Sequence, residues 1–173
     1  MNTLTHALLP VVGASMDGKR SPLCGGRYWN GRRALFLAAC GAAPDLLDPH
    51  LSIAARHASW SHGIPALAAF SVLLLAAGYA GKWGLDTRLA IWGSAAYALH
   101  LFCDAVSGGI APLYPFSAAV VGEYYVPPTV WLSLDMACAL TVYLLMLALP
   151  RWRAVRSRDP ERKTDAKTGE HGL

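Results

Sequence analysis

The chain is built from five apolar runs that alternate with polar or glycine- and proline-rich connections. The runs cover residues 4–16, 33–43, 64–80, 89–106 and 129–150. A helix that crosses a bilayer needs about 20 residues and tolerates about 17 where the bilayer thins. The third and fifth runs reach that length, so they are predicted to be membrane-spanning helices.

The other three runs depart from a simple spanning helix in two ways. The first and second runs are short, and at about 1.5 Å per residue neither crosses a hydrocarbon core of about 30 Å. We expect them to tilt, to re-enter the membrane or to pack inside the bundle. The fourth run is apolar except for His100 and Asp104 near its end. Ionisable groups at membrane depth normally mark a functional site or a wet cavity.

The composition favours a membrane protein over a soluble domain. Of the 173 residues, 54% are hydrophobic and 15% are charged, and the mean hydropathy is +0.33. A soluble domain carries about 25% charged residues. The predicted fold class is all-α, a polytopic membrane helical bundle with about four to five membrane-embedded helices. Residues 1–150 are predicted to form this domain, and residues 151–173 a basic, disordered cytoplasmic tail.

The distribution of basic residues predicts the orientation of the bundle. Short cytoplasmic loops are enriched in Lys and Arg. The segments after the first, third and fifth runs carry all of these residues except Arg56, which lies in the connection 44–63. We therefore expect the tail in the cytoplasm, and the connections 44–63 and 107–128 on the non-cytoplasmic face of the membrane. Since orientation already accounts for the basic tail, no nucleic-acid partner is expected.

Histidines and carboxylates concentrate on the predicted non-cytoplasmic face, at or near the ends of apolar runs. They are His6, His50, His57, His62 and His100, together with Asp45, Asp48, Asp104 and Asp135. Imidazole with carboxylate is a ligand set typical of zinc or manganese, and the four cysteines lie too far apart in the sequence for a thiolate site. The sequence therefore predicts a divalent metal site at this membrane boundary.

The spacing of these groups is informative in three segments. His100 and Asp104 are four residues apart on one helix, so they project from one face. Asp45 and Asp48 lie at the end of the second run, and the segment 57–62 places two imidazoles immediately before the third run. Each segment alone also fits an ordinary helix terminus or a structural polar pair. Their convergence on one face favours the metal site.

The order of these motifs resembles one known family. Thr5-His6-Ala7 is followed by Pro44-Asp45-Leu46-Leu47-Asp48, by His57-Ala58-Ser59-Trp60-Ser61-His62, by His100-Leu101-Phe102-Cys103-Asp104 and by the proline-bearing segment 110–116. This series is similar to the prokaryotic inner-membrane family described as metal-dependent hydrolases, which includes a LexA-binding member. The likeness covers about residues 1–116 and, more weakly, the last run.

The resemblance implies a metal site made of seven residues that match the family motifs by position. They are His6, Asp45, Asp48, His57, His62, His100 and Asp104. The segment after His57 departs from the family, because Ala58 and Ser59 stand where Arg and Gly are usual and Ser61 stands where Thr is usual. The role of that arginine is therefore either missing here or taken by Arg56.

The resemblance also implies hydrolysis by a metal-activated water, and the position of the site suggests a phosphoester in a lipid or lipid-linked substrate. Seven candidate ligands exceed the three that a catalytic zinc uses, so one or two ions, most simply zinc or else manganese, are expected. Asp48 or Asp104, where it is not a ligand, would act as general base or orient a ligand histidine.

Two other functions fit the same polar residues. A transporter would relay protons or pass a divalent cation along intramembrane His and Asp side chains, but the cytoplasmic ends of the runs offer few ionisable groups other than Lys and Arg. A non-catalytic, metal-stabilised membrane scaffold would have a full set of protein ligands. His50, Glu123 and Asp135 are further candidate ligands whose roles the sequence leaves open.

Overall fold

A computed structural model describes residues 2–16, 23–25, 28–49 and 52–148, which are mostly helical. The helices are α1 (Thr3–Met16), α2 (Gly31–Leu47), α3 (Ile53–Arg56), α4 (Ile64–Tyr79), α5 (Thr87–Ala105) and α6 (Trp131–Tyr143). Two antiparallel strands of two residues each, β1 (Cys24–Gly25) and β2 (Tyr28–Trp29), lie between α1 and α2. Each of the five apolar runs forms a helix, so the all-α prediction is confirmed. His50 and the predicted tail lie outside the described residues.

Polar side chains explain where α2 and α5 begin. The Asn30 side chain accepts hydrogen bonds from the backbone N–H groups of Arg32 and Arg33 at the start of α2. Asp86 accepts one from the backbone N–H of Leu89 at 2.7 Å. These caps satisfy donors that have no partner inside the helix. In both helices the capped end is opposite the end that carries the histidine and aspartate residues.

The helices pack around α5. Helix α1 contacts α2, α5 and α6, while α2 and α4 both pack against α5. Two clusters of buried apolar residues fill the interior, one around Val11, Leu37 and Leu89 and the other around Tyr97 and Leu101. Together they hold the ends of α1, α2 and α5 in fixed positions around the polar residues of the site.

The closest approach of α1 and α2 occurs at Gly41. A Cβ atom at this position would lie 2.3 Å from the backbone carbonyl oxygen of His6, which no side chain tolerates. The absence of a side chain lets the two backbones touch. As a result His6 on α1 is brought against the elements that carry the other polar groups.

Apolar side chains cover much of the protein surface, while several ionisable side chains are buried. Large apolar side chains face outward on several helices, with exposed fractions of 72% for Leu35, 70% for Leu73 and 69% for Leu132. In contrast, His62 and Asp104 are buried. Extended exposed apolar surfaces mark contact with a membrane or a partner.

Among the described residues, the helical stretch Pro128–Met146 is long and apolar enough to cross a bilayer, with 19 residues and a mean hydropathy of 1.6. Helix α4, predicted to span, has 16 residues, and its length of about 24 Å is less than a hydrocarbon core of about 30 Å. Helix α1 is also apolar and has 14 residues. The number of membrane crossings therefore stays a prediction.

Candidate metal centre

Four side chains converge between α1, α2 and α5. Asp45 comes from the last turn of α2, His62 from the short 3-10 turn Trp60–His62, and His100 and Asp104 from one face of α5. Each offers one ligand atom, and these atoms all lie within 4.8 Å of one another. The side chains of the last three are fully or almost fully buried, whereas that of Asp45 is 18% exposed. The convergence brings together residues from three separate segments of the sequence.

The separations that involve an imidazole nitrogen are nearly equal. His62 Nε2 lies 3.3 Å from Asp45 Oδ1 and 3.4 Å from Asp104 Oδ2. His100 Nε2 lies 3.5 Å from Asp45 Oδ1 and 3.2 Å from Asp104 Oδ2. The two imidazole Nε2 atoms are 3.3 Å apart.

The tautomer of His100 follows from its contact with the backbone of α2. Its Nδ1 atom lies 2.7 Å from the carbonyl oxygen of Gly41. A carbonyl oxygen only accepts hydrogen bonds, so Nδ1 carries a proton and donates it. In the neutral ring the lone pair is therefore on Nε2, which faces the other ligand atoms.

The tautomer of His62 follows from two serine hydroxyls. Its Nδ1 atom lies 2.9 Å from Ser59 Oγ and 3.0 Å from Ser61 Oγ. Ser59 donates its proton to Asp48 Oδ2 at 2.8 Å, and Ser61 donates its proton to the carbonyl oxygen of Pro44 at 2.8 Å. Since each hydroxyl has one proton, both accept from His62 Nδ1–H. The lone pair of His62 is thus also on Nε2, directed into the cluster.

The arrangement fits a bound metal ion. With both rings neutral, two imidazole lone pairs and two carboxylate oxygens are all acceptors, which is a ligand set suited to a divalent cation. Charge-assisted hydrogen bonds are about 2.7–2.9 Å long, shorter than the 3.2–3.5 Å found here. A tetrahedron with metal–ligand distances of about 2.0–2.1 Å has edges of about 3.3–3.4 Å. The observed separations therefore match the edges of a coordination polyhedron.

The second oxygen of Asp104 faces a different set of groups. Arg56 NH1 lies 2.7 Å from Asp104 Oδ1, and His6 Nε2 lies 3.1 Å from the same atom. The His6 ring stacks on that of His100 with centroids 3.9 Å apart. Within the described residues, His6 Nδ1 has no hydrogen-bond partner. His6 thus lies beside the four-residue cluster and supports it through Asp104 and His100.

Asp45 lies where the cluster approaches the protein surface. Its Oδ2 atom accepts a hydrogen bond from the exposed Thr3 hydroxyl at 2.6 Å. Asp45 is therefore the member of the cluster that is nearest to solvent.

Comparison with known proteins now identifies the family. A family model described as YdjM inner membrane protein matches residues 1–159. The chain belongs to the YdjM inner membrane protein family. The match includes every residue of the metal centre, and it confirms the inner-membrane family inferred from the order of the motifs. No curated protein and no solved structure matches the chain.

The seven residues implied by the motifs fall into three groups in this YdjM-family protein: residues in the cluster, residues that contact it, and a residue that lies apart from it. Asp45, His62, His100 and Asp104 form the cluster, and His6 contacts it through Asp104. Asp48 does not belong to the cluster; it accepts a hydrogen bond from Ser59, whose hydroxyl in turn contacts His62. His57 lies apart from the cluster and donates a hydrogen bond from Nε2 to the carbonyl oxygen of Gly108 at 3.1 Å.

Of the three further candidate ligands, Asp135 and Glu123 lie outside the cluster. Asp135 is buried on α6 and binds the start of α1, accepting from the backbone N–H of Thr5 at 3.0 Å, from the Thr5 hydroxyl and from Asn2 Nδ2 at 2.5 Å. Glu123 is exposed on the connection between α5 and α6. His50 lies outside the described residues.

Several residues that complete the centre were missed by the sequence analysis. Ser59, Ser61 and the carbonyl of Gly41 orient the two imidazoles, and Thr3 orients Asp45. The serines alternate with Trp60 in the segment between the two histidines, which is the one signal the sequence offered. A backbone carbonyl leaves no signal in a sequence.

An apolar groove of about 430 Å³ lies between α2 and α4 in this YdjM-family protein. Ala43, Leu46, Trp60, Ala69, Phe70 and Tyr97 are among its lining residues. Leu46 and Trp60 belong to the two elements, α2 and the turn Trp60–His62, that also carry Asp45 and His62. The Tyr97 hydroxyl donates to the carbonyl oxygen of Ser61 at 2.5 Å. The groove and the candidate metal centre are therefore built from shared elements.

Proposed function

We propose that the protein is a membrane-bound, metal-dependent hydrolase of a phosphoester bond in a lipid or lipid-linked substrate. The observation that carries the proposal is the convergence of four ligand atoms, from Asp45, His62, His100 and Asp104, within 4.8 Å of one another, with each imidazole nitrogen 3.2–3.5 Å from the other ligand atoms. Zinc, or alternatively manganese, is the ion that this mixture of imidazole and carboxylate favours. Such an ion supplies Lewis-acid activation of a water and of a phosphoryl oxygen.

The residues around the cluster hold its ligands in place. Gly41 fixes the His100 ring, and Ser59 fixes the His62 ring because Asp48 takes the proton of the serine hydroxyl. In this proposal Asp104 is a ligand and Asp48 a positioning residue. Asp45, the more exposed of the two carboxylates in the cluster, is the proposed acceptor of the proton that water releases.

The apolar groove between α2 and α4 supports a substrate with an alkyl chain. Its lining is almost entirely apolar, and its volume lies in the range of about 300–1,000 Å³ typical of small-molecule sites. A lipid tail placed there would bring the attached phosphoester to the metal centre. Since the family is an inner membrane family, such lipids surround the protein.

The proposal includes a topology. The outward-facing apolar side chains support a polytopic bundle in residues 1–150, with the metal centre on the non-cytoplasmic face and residues 151–173 in the cytoplasm. Reporter fusions after residue 148 and within the connection 106–127 test this assignment. Cytoplasmic activity of the first fusion and periplasmic activity of the second are expected; the opposite pattern contradicts the proposed orientation.

The decisive experiment combines metal content with turnover. We expect the purified protein in detergent to hold at least one equivalent of zinc or manganese by elemental analysis, and His62→Ala and Asp104→Ala to lose it. His57→Ala is the matched control, because His57 lies outside the cluster, and it should keep its metal. Lipid phosphoesters are then assayed with and without EDTA. Absence of metal from the folded wild type, or turnover that EDTA leaves unchanged, refutes the proposal.

A second candidate is a metal-stabilised scaffold without catalysis. Four protein ligands complete a tetrahedral shell, which is the pattern of structural zinc sites, whereas catalytic sites usually leave one position to water. This candidate predicts tight metal binding and a large loss of thermal stability on metal removal, with no turnover of any phosphoester. Hydrolysis that depends on the same four residues would exclude it.

A further inference from the structure

The two oxygens of Asp104 serve different purposes. Oδ2 faces the imidazole nitrogens of His62 and His100 at 3.4 and 3.2 Å, so it belongs to the metal set. Oδ1 is in contact with Arg56 NH1 at 2.7 Å and with His6 Nε2 at 3.1 Å. In a centre with two ions about 3.5–4 Å apart, a carboxylate in this position would give one oxygen to each ion. Here the second oxygen already has a cationic partner.

The Arg56 guanidinium is built into the protein. Its side chain is 4% exposed, and its NH2 group donates to the backbone carbonyl oxygens of Asp104 at 3.4 Å and Ser107 at 3.3 Å. These carbonyls lie at the carboxyl end of α5, where the helix dipole favours a positive charge. The guanidinium therefore joins α3 to the end of α5 while it holds Asp104.

Glycine provides the space for this group. Gly108 has a φ of 126°, a conformation that side chains rarely adopt, and a Cβ atom there would lie 3.0 Å from Arg56 NH2. A guanidinium keeps its charge at any pH that the protein tolerates. The place beside Asp104 Oδ1 is thus permanently positive.

We propose that the centre binds a single metal ion, and that Arg56 occupies the position beside Asp104 Oδ1 that a second ion would need. Arg56 is then a positioning residue, which directs Oδ2 of Asp104 toward the ion by holding Oδ1. His6 has a related role on the same oxygen and is not a ligand of a second ion. The inference rests on the proposed function only for the binding of metal, and not for hydrolysis.

The test is the number of ions bound and their affinity, measured without any substrate. Metal-free protein in detergent is titrated with Mn²⁺, and the bound ions are counted by elemental analysis and examined by electron paramagnetic resonance. We expect one equivalent in the wild type, with the spectrum of an isolated ion. Two equivalents with the spectrum of a coupled pair overturn the inference but leave metal-dependent hydrolysis intact. If no metal binds, both the single-ion inference and the proposed metal-dependent hydrolysis are wrong.

Variants of Arg56 test the positioning role. Arg56→Gln keeps much of the side-chain length and removes the charge. We expect its dissociation constant for the ion to be 10- to 100-fold higher than that of the wild type, or a second ion to bind. Arg56→Lys keeps the charge and should stay at one ion with an intermediate affinity. Arg33→Gln is the matched control. Arg33 forms an ion pair with Asp86, with an N–O distance of 2.8 Å, and this pair lies away from the centre. An affinity in Arg56→Gln equal to that of the wild type contradicts the role. Should Arg56→Gln fail to fold, a second ion in Arg56→Lys overturns the inference.

Discussion

His62 and His100 direct their Nε2 atoms at one another across 3.3 Å, while each Nδ1 is hydrogen-bonded on the opposite side of its ring. Two unprotonated nitrogens do not attract each other, and a cation between them would bind both lone pairs. The rings are oriented by a backbone carbonyl and by two serine hydroxyls, and these groups are present whether or not an ion is bound. The protein therefore holds the ligands ready for the ion.

The chain from Asp48 through Ser59 to His62 should govern metal affinity. The Ser59 hydroxyl accepts the His62 Nδ1 proton because it donates its own proton to Asp48. Ser59→Ala removes this acceptor, and Asp48→Asn disturbs it. We therefore expect the dissociation constant for zinc to rise about tenfold or more in each variant. Because both residues act through the same hydrogen bonds, the double variant should be little weaker than either single variant. Competition with a chelator of known affinity measures the dissociation constant of the two single variants and of the double variant.

The control for this series is Asp86→Asn, which changes a carboxylate that caps α5 far from the centre. It should leave zinc affinity unchanged. Fully additive effects of Asp48→Asn and Ser59→Ala would show that the two residues act separately, and the proposed chain would then be wrong.

Gly41 is predicted to be intolerant of any side chain. In Gly41→Ala the new Cβ atom would lie 2.3 Å from the His6 carbonyl oxygen, which forces α1 away from α2 and disturbs the carbonyl that orients His100. We expect a destabilisation of about 1–3 kcal/mol, typical of overpacking, together with loss of metal. Thermal unfolding in detergent and elemental analysis measure the two effects.

Gly13→Ala provides a matched control on α1. A Cβ atom at Gly13 would have no neighbour within 4 Å. Alanine is preferred to glycine inside a helix by about 1 kcal/mol, so this variant should be as stable as the wild type or more so. Equal behaviour of the two variants would contradict the close contact at Gly41.

The sequence predicted the helices well because hydrophobic periodicity and run length are local properties. It also brought His100 and Asp104 together, since four residues are close to one turn of a helix. Which of the other histidines joins them depends on how the segment 52–63 folds back over α5, and spacing alone does not contain that information. His57 and His62 were therefore equivalent in the sequence but occupy different places in the structure.

The role of Arg56 was beyond sequence reasoning for a similar reason. It is the one basic residue in the predicted non-cytoplasmic connections, and the analysis left open whether it replaces the arginine usual in the family motif. Its contact with Asp104 joins residues 48 positions apart. Only the contacts of the Arg56 side chain with the end of α5 show that this charge lies beside the cluster.

Asp135 is predicted to be a structural residue and not a metal ligand. It accepts hydrogen bonds from Thr5 and Asn2 and so holds the start of α1 against α6. Asp135→Ala leaves those donors unpaired, and we expect a loss of stability of about 1–3 kcal/mol with metal stoichiometry unchanged. A lower unfolding temperature with full metal content confirms this, and Glu123→Ala, at an exposed site, should change neither. Loss of metal at an unchanged unfolding temperature would make Asp135 a ligand.

The groove between α2 and α4 should determine the preference for lipid substrates. Ala69 lines this groove, whereas the neighbouring Ala68 does not belong to its lining, so tryptophan at these two positions gives a matched pair. Ala69→Trp should fill the groove and raise the KM for a long-chain lipid phosphoester about tenfold or more. Exclusion of only two methylenes, at about 0.8 kcal/mol each, is sufficient for that change.

Hydrolysis of a short water-soluble phosphoester by Ala69→Trp should be unaffected, because the four metal ligands are untouched. Ala68→Trp should resemble the wild type on both substrates. If Ala69→Trp impairs both substrates equally, the groove does not select the lipid chain and the substitution acts on the centre itself.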